Sequence, residues 1–318
     1  MVKNMRIRLG YVAVPISIQA TSSSIVTYSH YKKLGIKRGN EKLEKIIMSN
    51  FDDLKKILHY NIKNEVVFFR MTSNLIPLGT HPEVDFEIFS RYKKQFLEIG
   101  QIIKDNNLRV DTHPDQFCVL NSVKEEVVLS SINILKFHQS MFRAMEIDGK
   151  MVLHIGSSVG GKRVAMKRFK ENFQKLDSNL QRMIILENDD KTFNIRNTLS
   201  LCNELNIPMV LDYHHYLCNN NGENIIDYIE KICATWGKEL LCPKMHFSSP
   251  KSKKEKRSHS EYIECDKFIE LLETIKFINS DIDIMLEAKA KDEALFRLIR
   301  QLKYEKDYKF IKNTVFLI

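Results

Sequence analysis

The residues equipped for chemistry are histidines and acids. Of the ten histidines, His81, His113, His154, His214, His215, His246 and His259 end or follow short apolar runs rich in β-branched residues. Glu187, Asp212 and Glu287 close other such runs. Mixed imidazole and carboxylate donors suit divalent cations, with Zn²⁺, Mn²⁺ and Fe²⁺ all open. No two of the six cysteines are spaced C-x-x-C, which argues against zinc ribbons and thioredoxin-type redox motifs. Reduced thiols of a cytosolic protein fit them better. Each donor also has a plainer role. A single histidine at a strand end is usually hydrogen-bonded structure, and Asp212 can N-cap a helix. On a strand, His214 and His215 would face opposite sides, so at most one would bind metal. His30, His59 and His138 lie away from the run ends and read as solvent or packing residues. Lys244 alternates with His246, so both could face one interior. Among cations it would be deprotonated, carry a covalent carboxylate, or pair with Asp212 or Glu287.

These residues can share a pocket only if the chain brings distant positions together. Strands are expected at 6–11, 65–70, 108–112, 150–155, 182–187, 208–212, 243–247 and 283–287. Helices are expected at 41–60, 86–106, 125–145, 165–179, 196–206, 224–236, 265–277 and 292–304. Eight strands each followed by a helix predict a parallel α/β sheet, and eight units close a TIM (β/α)8 barrel. The C-terminal strand ends would then converge on one rim, where active sites of this fold are built. Segments 12–40 and 248–261 read as loop insertions. No composition shift marks a boundary, so one domain over 1–318 is expected.

The charge fits a polyanionic partner: 49 Lys plus Arg against 40 Asp plus Glu give +9. Lys251, Lys253, Lys254, Lys256 and Arg257 precede His259 in the expected rim loop. Alone this run is a solvated face. Beside a metal cluster it suits a clamp for phosphates, and Lys162, Arg163, Lys167 and Arg168 extend it. Gly156-Ser-Ser-Val-Gly-Gly161-Lys162 fits G-x-x-x-x-G-K, but Arg163 replaces the Ser or Thr a P-loop needs for Mg²⁺. A nucleotide cofactor is therefore not expected, although the glycines could offer backbone N–H groups to a phosphate. No apolar run spans a membrane, and the first residues lack a signal-peptide core, so a cytoplasmic protein is expected.

The ordered motifs resemble the UV-damage endonuclease family of DNA-repair enzymes. They are Arg8-Leu-Gly-Tyr11, Arg70-Met-Thr-Ser-Asn74, Pro77-Leu78, His81-Pro82, His113-Pro-Asp-Gln-Phe117, His154-Ile-Gly-Ser157, Gly160-Gly-Lys162, Leu186-Glu-Asn-Asp-Asp190, Asp212-Tyr-His-His215, Lys244-Met-His246, His259 and Met285-Leu-Glu-Ala-Lys289. The resemblance implies a barrel related to endonuclease IV and xylose isomerase. It implies two or three divalent ions, typically Mn²⁺, and hydrolysis of the phosphodiester 5′ to UV photoproducts in duplex DNA. The implied metal ligands are His81, His113, His154, Glu187, Asp212, His215, His246, His259 and Glu287. Glu187 would bridge ions, with Lys244 and His246 sharing the catalytic role. Gln116 and Phe117 match a pair that probes the duplex at the lesion, where many relatives carry Tyr at Phe117. Tyr11 matches a residue near the damaged nucleotides. A monomer in the cytoplasm, on the nucleoid when bound to DNA, is the expected state. A sugar isomerase on the same barrel would explain the ligands but not the basic run. A non-catalytic DNA-binding protein would leave the acids and histidines without a role.

Overall fold

The computed structural model describes residues 4–84, 87–115, 117–278 and 280–318. Its parallel strands are β1 (Arg6–Val12), β2 (Phe68–Arg70), β3 (Arg109–Thr112), β4 (Lys150–His154), β5 (Ile184–Glu187), β6 (Met209–Asp212), β7 (Lys244–Phe247) and β8 (Ile282–Leu286). Each pairs with the next, and β1 pairs with both β8 and β2, which closes the barrel. A C-terminal hairpin, β9 (Lys309–Lys312) and β10 (Val315–Leu317), was not expected from the sequence. β10 runs antiparallel to Arg6–Arg8, while β2 joins β1 only at Tyr11 and Val12. The hairpin thus covers the lower half of a β1 edge that a three-residue β2 leaves free.

The helices are α1 (Tyr28–Lys63), α2 (Ile88–Arg91), α3 (Lys93–Asp105), α4 (Glu125–Met145), α5 (Lys162–Gln174), α6 (Ser178–Met183), α7 (Ile195–Leu205), α8 (Tyr213–Cys218), α9 (Ile226–Ala234), α10 (Cys265–Ile275) and α11 (Lys291–Glu305). Three expectations need correction. Segment 12–40 is not loop throughout, because α1 starts at Tyr28 behind a Thr27 N-cap. Its polar, lysine-rich first turns hide the helical period, and Gly35 bends it at φ 74°. The helix expected at 165–179 starts at Lys162 and stops at Gln174. Asp177 then accepts from the Asn179 and Leu180 N–H groups and caps a second helix. The one expected at 86–106 begins at Phe86, outside the described residues, and is divided at Tyr92 into α2 and α3.

Strand periodicity sorts side chains between two environments. Ile7, Leu9 and Tyr11 of β1 join the main core under the helices, as do Ile184, Leu186, Met209 and Leu211. Val152, Ile185 and Val210, offset by one residue, pack inside the barrel with Trp236. Above them on the same strand faces come His154, Glu187 and Asp212. Gly10 also faces inward, and a Cβ there would lie 2.3 Å from the Phe68 carbonyl oxygen. The missing side chain lets β2 and its Phe68 ring approach β1.

Candidate metal centre and DNA-facing rim

The barrel interior carries charge in layers. At the bottom, Arg8 Nε and Arg109 Nη1 each lie 2.5 Å from the Asp283 carboxylate. Above that, Lys244 Nζ on β7 reaches Asp111 Oδ2 on β3 at 2.6 Å, both groups being buried. Asp111, not Asp212 or Glu287, is therefore the acid that pairs with Lys244. Burial pulls the Lys244 ammonium down to about 8, because Asp111 offsets only part of the desolvation and Arg70 and Arg109 repel it.

The top layer centres on Glu187, 1% exposed at the end of β5. Its Oε2 lies 3.2 Å from His113 Nε2 and 3.9 Å from His154 Nε2. Its Oε1 lies 2.8 Å from His246 Nδ1 and 3.5 Å from His215 Nδ1. Two donor groups result: His113, His154 and Glu187, and Glu187 with Asp212, His246 and Glu287. Glu187 belongs to both. His259 Nδ1 stands 3.9 Å from Glu287 Oε2.

The local structure behind each donor follows from its element. Asp212 closes β6 and caps α8 by accepting from the His215 N–H at 2.7 Å. The His214–His215 pair therefore starts a helix, which the strand reading missed. His215 turns toward Asp212 and Glu187. His214 is buried with its ring 5.3 Å from that of His259. His113 Nδ1 sits 3.1 Å from the Pro114 carbonyl, which leaves its Nε2 facing Glu187, whereas His215 Nδ1 lies 2.9 Å from the Asn188 carbonyl and is itself the ring nitrogen nearest Glu187 and Asp212. His259 returns to the rim because the basic loop is closed at its base by pairing of Pro250 with His259 and of Lys251 N–H with the Ser258 carbonyl.

Arg70 at the end of β2 was not given a role by the sequence. Its Nη1 is 2.6 Å from Glu287 Oε1 and its Nη2 is 2.7 Å from His246 Nε2. A guanidinium only donates, so His246 accepts at Nε2 and turns Nδ1 to Glu187.

The electrostatics divide the carboxylates. Burial would raise Glu187, but His246 and His154 nearby and hydrogen bonds from His113 and His246 hold it well below the usual range. Arg70 and His246 overcome the same penalty at Glu287 and hold it low. Burial drives Asp212 well above its usual value, reinforced by repulsion from Glu187 and Glu287 and only partly relieved by His215. Burial opposes the charge on His215, yet Asp212 and Glu187 lift it to about 9. Burial takes His246 down to about 4. Asp212 Oδ2 and His154 Nδ1 are buried with no hydrogen-bond partner among the described residues. Two buried carboxylates and a half-buried third, crowded among imidazoles and with orphaned donor atoms, fit divalent cations.

Other expected site residues are placed differently. His81 lies outside both donor groups; its ring stacks on Tyr28 with centroids 3.9 Å apart. Tyr11 is not offered to a nucleotide. It points away from the barrel interior, is fully buried, and donates from its hydroxyl to Asn61 Oδ1 at 2.6 Å. Gln116 lies outside the described residues. Phe117 stands 70% exposed on the β3–α4 loop. Lys253, Lys254, Lys256 and Arg257 are exposed on the β7–α10 loop.

The comparisons with known proteins agree with this geometry. The model of the family described as UV-endonuclease UvdE matches residues 7–315. The chain belongs to this family. A UV DNA damage endonuclease of Bacillus cereus (strain B4264) is 37% identical over 314 residues, covering 98% of this chain and 99% of the relative. The crystal structure of SacUVDE superposes with a TM-score of 0.85 at 34% identity, covering 94% of this chain and 98% of the other. Endonuclease IV from Thermus thermophilus shares the fold, with a TM-score of 0.55 at 13% identity over 80% of this chain and 95% of that one. The expected TIM barrel and the expected family are thus both found, and the chain is a UV-damage repair nuclease of the UvdE type. No helix among the described residues is long and apolar enough to cross a membrane.

Proposed function

We propose that this single-domain protein nicks duplex DNA on the 5′ side of UV photoproducts through a divalent metal cluster, leaving a 3′-hydroxyl. The observation that carries the reading is Glu187: one buried carboxylate belongs to two candidate donor groups at the mouth of the barrel. His113, His154 and Glu187 would hold one ion, and Glu187, Asp212, His246 and Glu287 another, with His215 and His259 beside them. Two or three such ions, Mn²⁺ in this reading, would when bound supply an activated water near neutral pH and neutralise charge on the attacked phosphate and leaving oxygen.

The chain's own residues do the rest. Arg70 fixes Glu287 and the His246 ring, so the acid stays ionised and the imidazole keeps one orientation. Lys244, paired with Asp111, keeps a cation directly beneath the centre. Lys253, Lys254, Lys256 and Arg257 meet backbone phosphates, which positions the duplex without reading its sequence. Damaged, poorly stacked steps open at lower cost, and Phe117 with Gln116 would fill and stack in the gap. The basic run favours DNA over a sugar substrate.

The test uses full-length protein loaded with Mn²⁺ and a duplex carrying one defined photoproduct. A single nick 5′ to the lesion is expected, lost in EDTA and restored by Mn²⁺. An irradiated duplex left intact by metal-loaded protein would rule the reading out.

A further inference from the structure

The Gly156–Lys162 motif is not explained by nucleotide binding, and the catalytic reading does not use it. The structure shows it as a tight loop between β4 and α5. Gly161 N–H donates to the Ser158 carbonyl at 2.8 Å, which closes a four-residue turn. Val159 and Gly160 are its central residues. Gly160 has φ +83°, a value the second central position of a type II turn requires and β-branched residues avoid. The turn therefore fixes which residue forms the tip: Val159, 55% exposed and flanked by exposed Ser158, Gly160 and Gly161. A bare valine on a polar turn contributes nothing to the core.

This tip is bound to the loop that carries Phe117. Asn121, fully buried, donates from Nδ2 to the Ser157 carbonyl at 2.6 Å and accepts the Ser157 N–H at Oδ1 at 2.8 Å. Arg168 on α5 donates to the Asn121 carbonyl at 3.0 Å and to the Val159 carbonyl at 2.7 Å. Gly156 allows the fit, since a Cβ there would lie 2.8 Å from both Asn121 Oδ1 and Val119 Cγ1. The Phe117 loop has its own tight turn, from the Asp115 carbonyl to the Cys118 N–H at 2.8 Å. Two turns on adjacent barrel loops thus each raise one apolar side chain, and one asparagine and one arginine hold them in fixed relation. Lys162 and Arg163, both exposed, open α5 immediately after this loop. Apolar wedges backed by cations are the form in which proteins separate stacked base steps.

We propose that Val159 is a second arm of the lesion probe, held in register with Phe117 by Asn121 and Arg168, and that it packs against a base step opened at the damage. This rests on the reading of the rim as the face that meets damaged DNA.

The experiment measures equilibrium binding of the full chain carrying Glu187→Gln, so that no cleavage intervenes. The probes are a fluorescent duplex with one cyclobutane dimer and the same duplex undamaged. Val159→Ala should lower the damaged-to-undamaged affinity ratio on the order of fivefold, while Val159→Leu keeps it. In a double-mutant cycle the effects of Phe117→Ala and Val159→Ala should be non-additive. Val159 is exposed, so the fold tolerates these changes, and circular dichroism checks that it does. An unchanged ratio in Val159→Ala, or equal losses on both duplexes, would overturn the proposal. A parent chain that itself fails to discriminate damage would instead overturn the functional reading beneath it.

Discussion

Glu187 is the residue on which the site turns. Its side chain is fully surrounded, and its charge is stabilised by imidazoles on β4, β7 and the loop after β3. Replacing it with Gln keeps the shape and removes the charge that both donor groups share. Nicking should vanish, bound metal per chain should fall, and affinity for DNA should change little, as read by elemental analysis and anisotropy. Normal nicking by Glu187→Gln would show that the two groups do not depend on it. His138 on α4 gives a separate, titratable prediction. It is 3% exposed, its Nδ1 has no hydrogen-bond partner among the described residues, and burial, with a smaller push from His113, lowers it from 6.5 to about 4. Between these values the unfolded chain binds more protons than the folded one, so stability falls as pH drops from about 6.5 to 4. One such group contributes at most about 1.4 kcal/mol per pH unit. His214 and His246, also lowered to about 4, add to the slope. Urea unfolding of His138→Phe in EDTA should show the pH slope reduced by one proton; an unchanged slope would place the uptake elsewhere.

At the scale of elements, the barrel is strapped internally by charge. β3 and β7 stand across the barrel from each other, and Asp111 and Lys244 join them through the interior. The strap is balanced, since Asp111→Ala would leave a buried ammonium unpaired. That change should cost about 3–5 kcal/mol in denaturant unfolding, whereas Asp111→Leu together with Lys244→Met should cost much less. A single-mutant loss below about 1 kcal/mol would mean that Lys244 discards its proton instead, as its value of about 8 makes accessible near neutral pH. The elements also explain the unevenness of the sequence reading. Strand positions were legible because buried parallel strands are short continuous apolar runs. The start of α1 was not, because a lysine-rich surface helix lacks the apolar period that marks one. The short helix α8 was legible only as the helix Asp212 could N-cap: one cap specifies it, and the same carboxylate also belongs to the donor cluster.

Over the whole molecule, part of the +9 charge is gathered in one exposed loop, at Lys251, Lys253, Lys254, Lys256 and Arg257. The basic loop after β7 leaves and re-enters the rim beside His259, and its lysines differ in freedom. Lys251 pairs with Glu255 at 2.8 Å and Arg257 with Asp190 at 3.6 Å. Lys253, Lys254 and Lys256 make no ion pair among the described residues. In the proposed reading these three reach phosphates without giving up an ion pair, whereas Arg257 must first leave Asp190. Replacing these three with Gln should reduce the slope of log affinity against log salt by about 0.9 for each phosphate no longer neutralised. The weakening should be equal on damaged and undamaged duplexes, because phosphate contacts carry no lesion information. A preferential weakening on damaged DNA would assign the loop to lesion recognition instead.

The sequence alone determined the eight-fold alternation and the fact that histidines and acids gather at strand ends. Both are local properties: apolar run length sets the element, and the residue after the run sets the rim. Composition likewise fixed the charge. The family resemblance named nine donors, and the tertiary structure decided which of them meet and in which groups. His113, His154, Glu187, Asp212, His246 and Glu287 converge, while His81 stacks on Tyr28 and Tyr11 faces the helices. It also decided that Lys244 pairs with Asp111 and that Arg70 holds Glu287. Such pairings depend on which face of a strand a residue occupies and on which strand stands opposite. Barrel closure sets both, and they cannot be read from spacing along the chain.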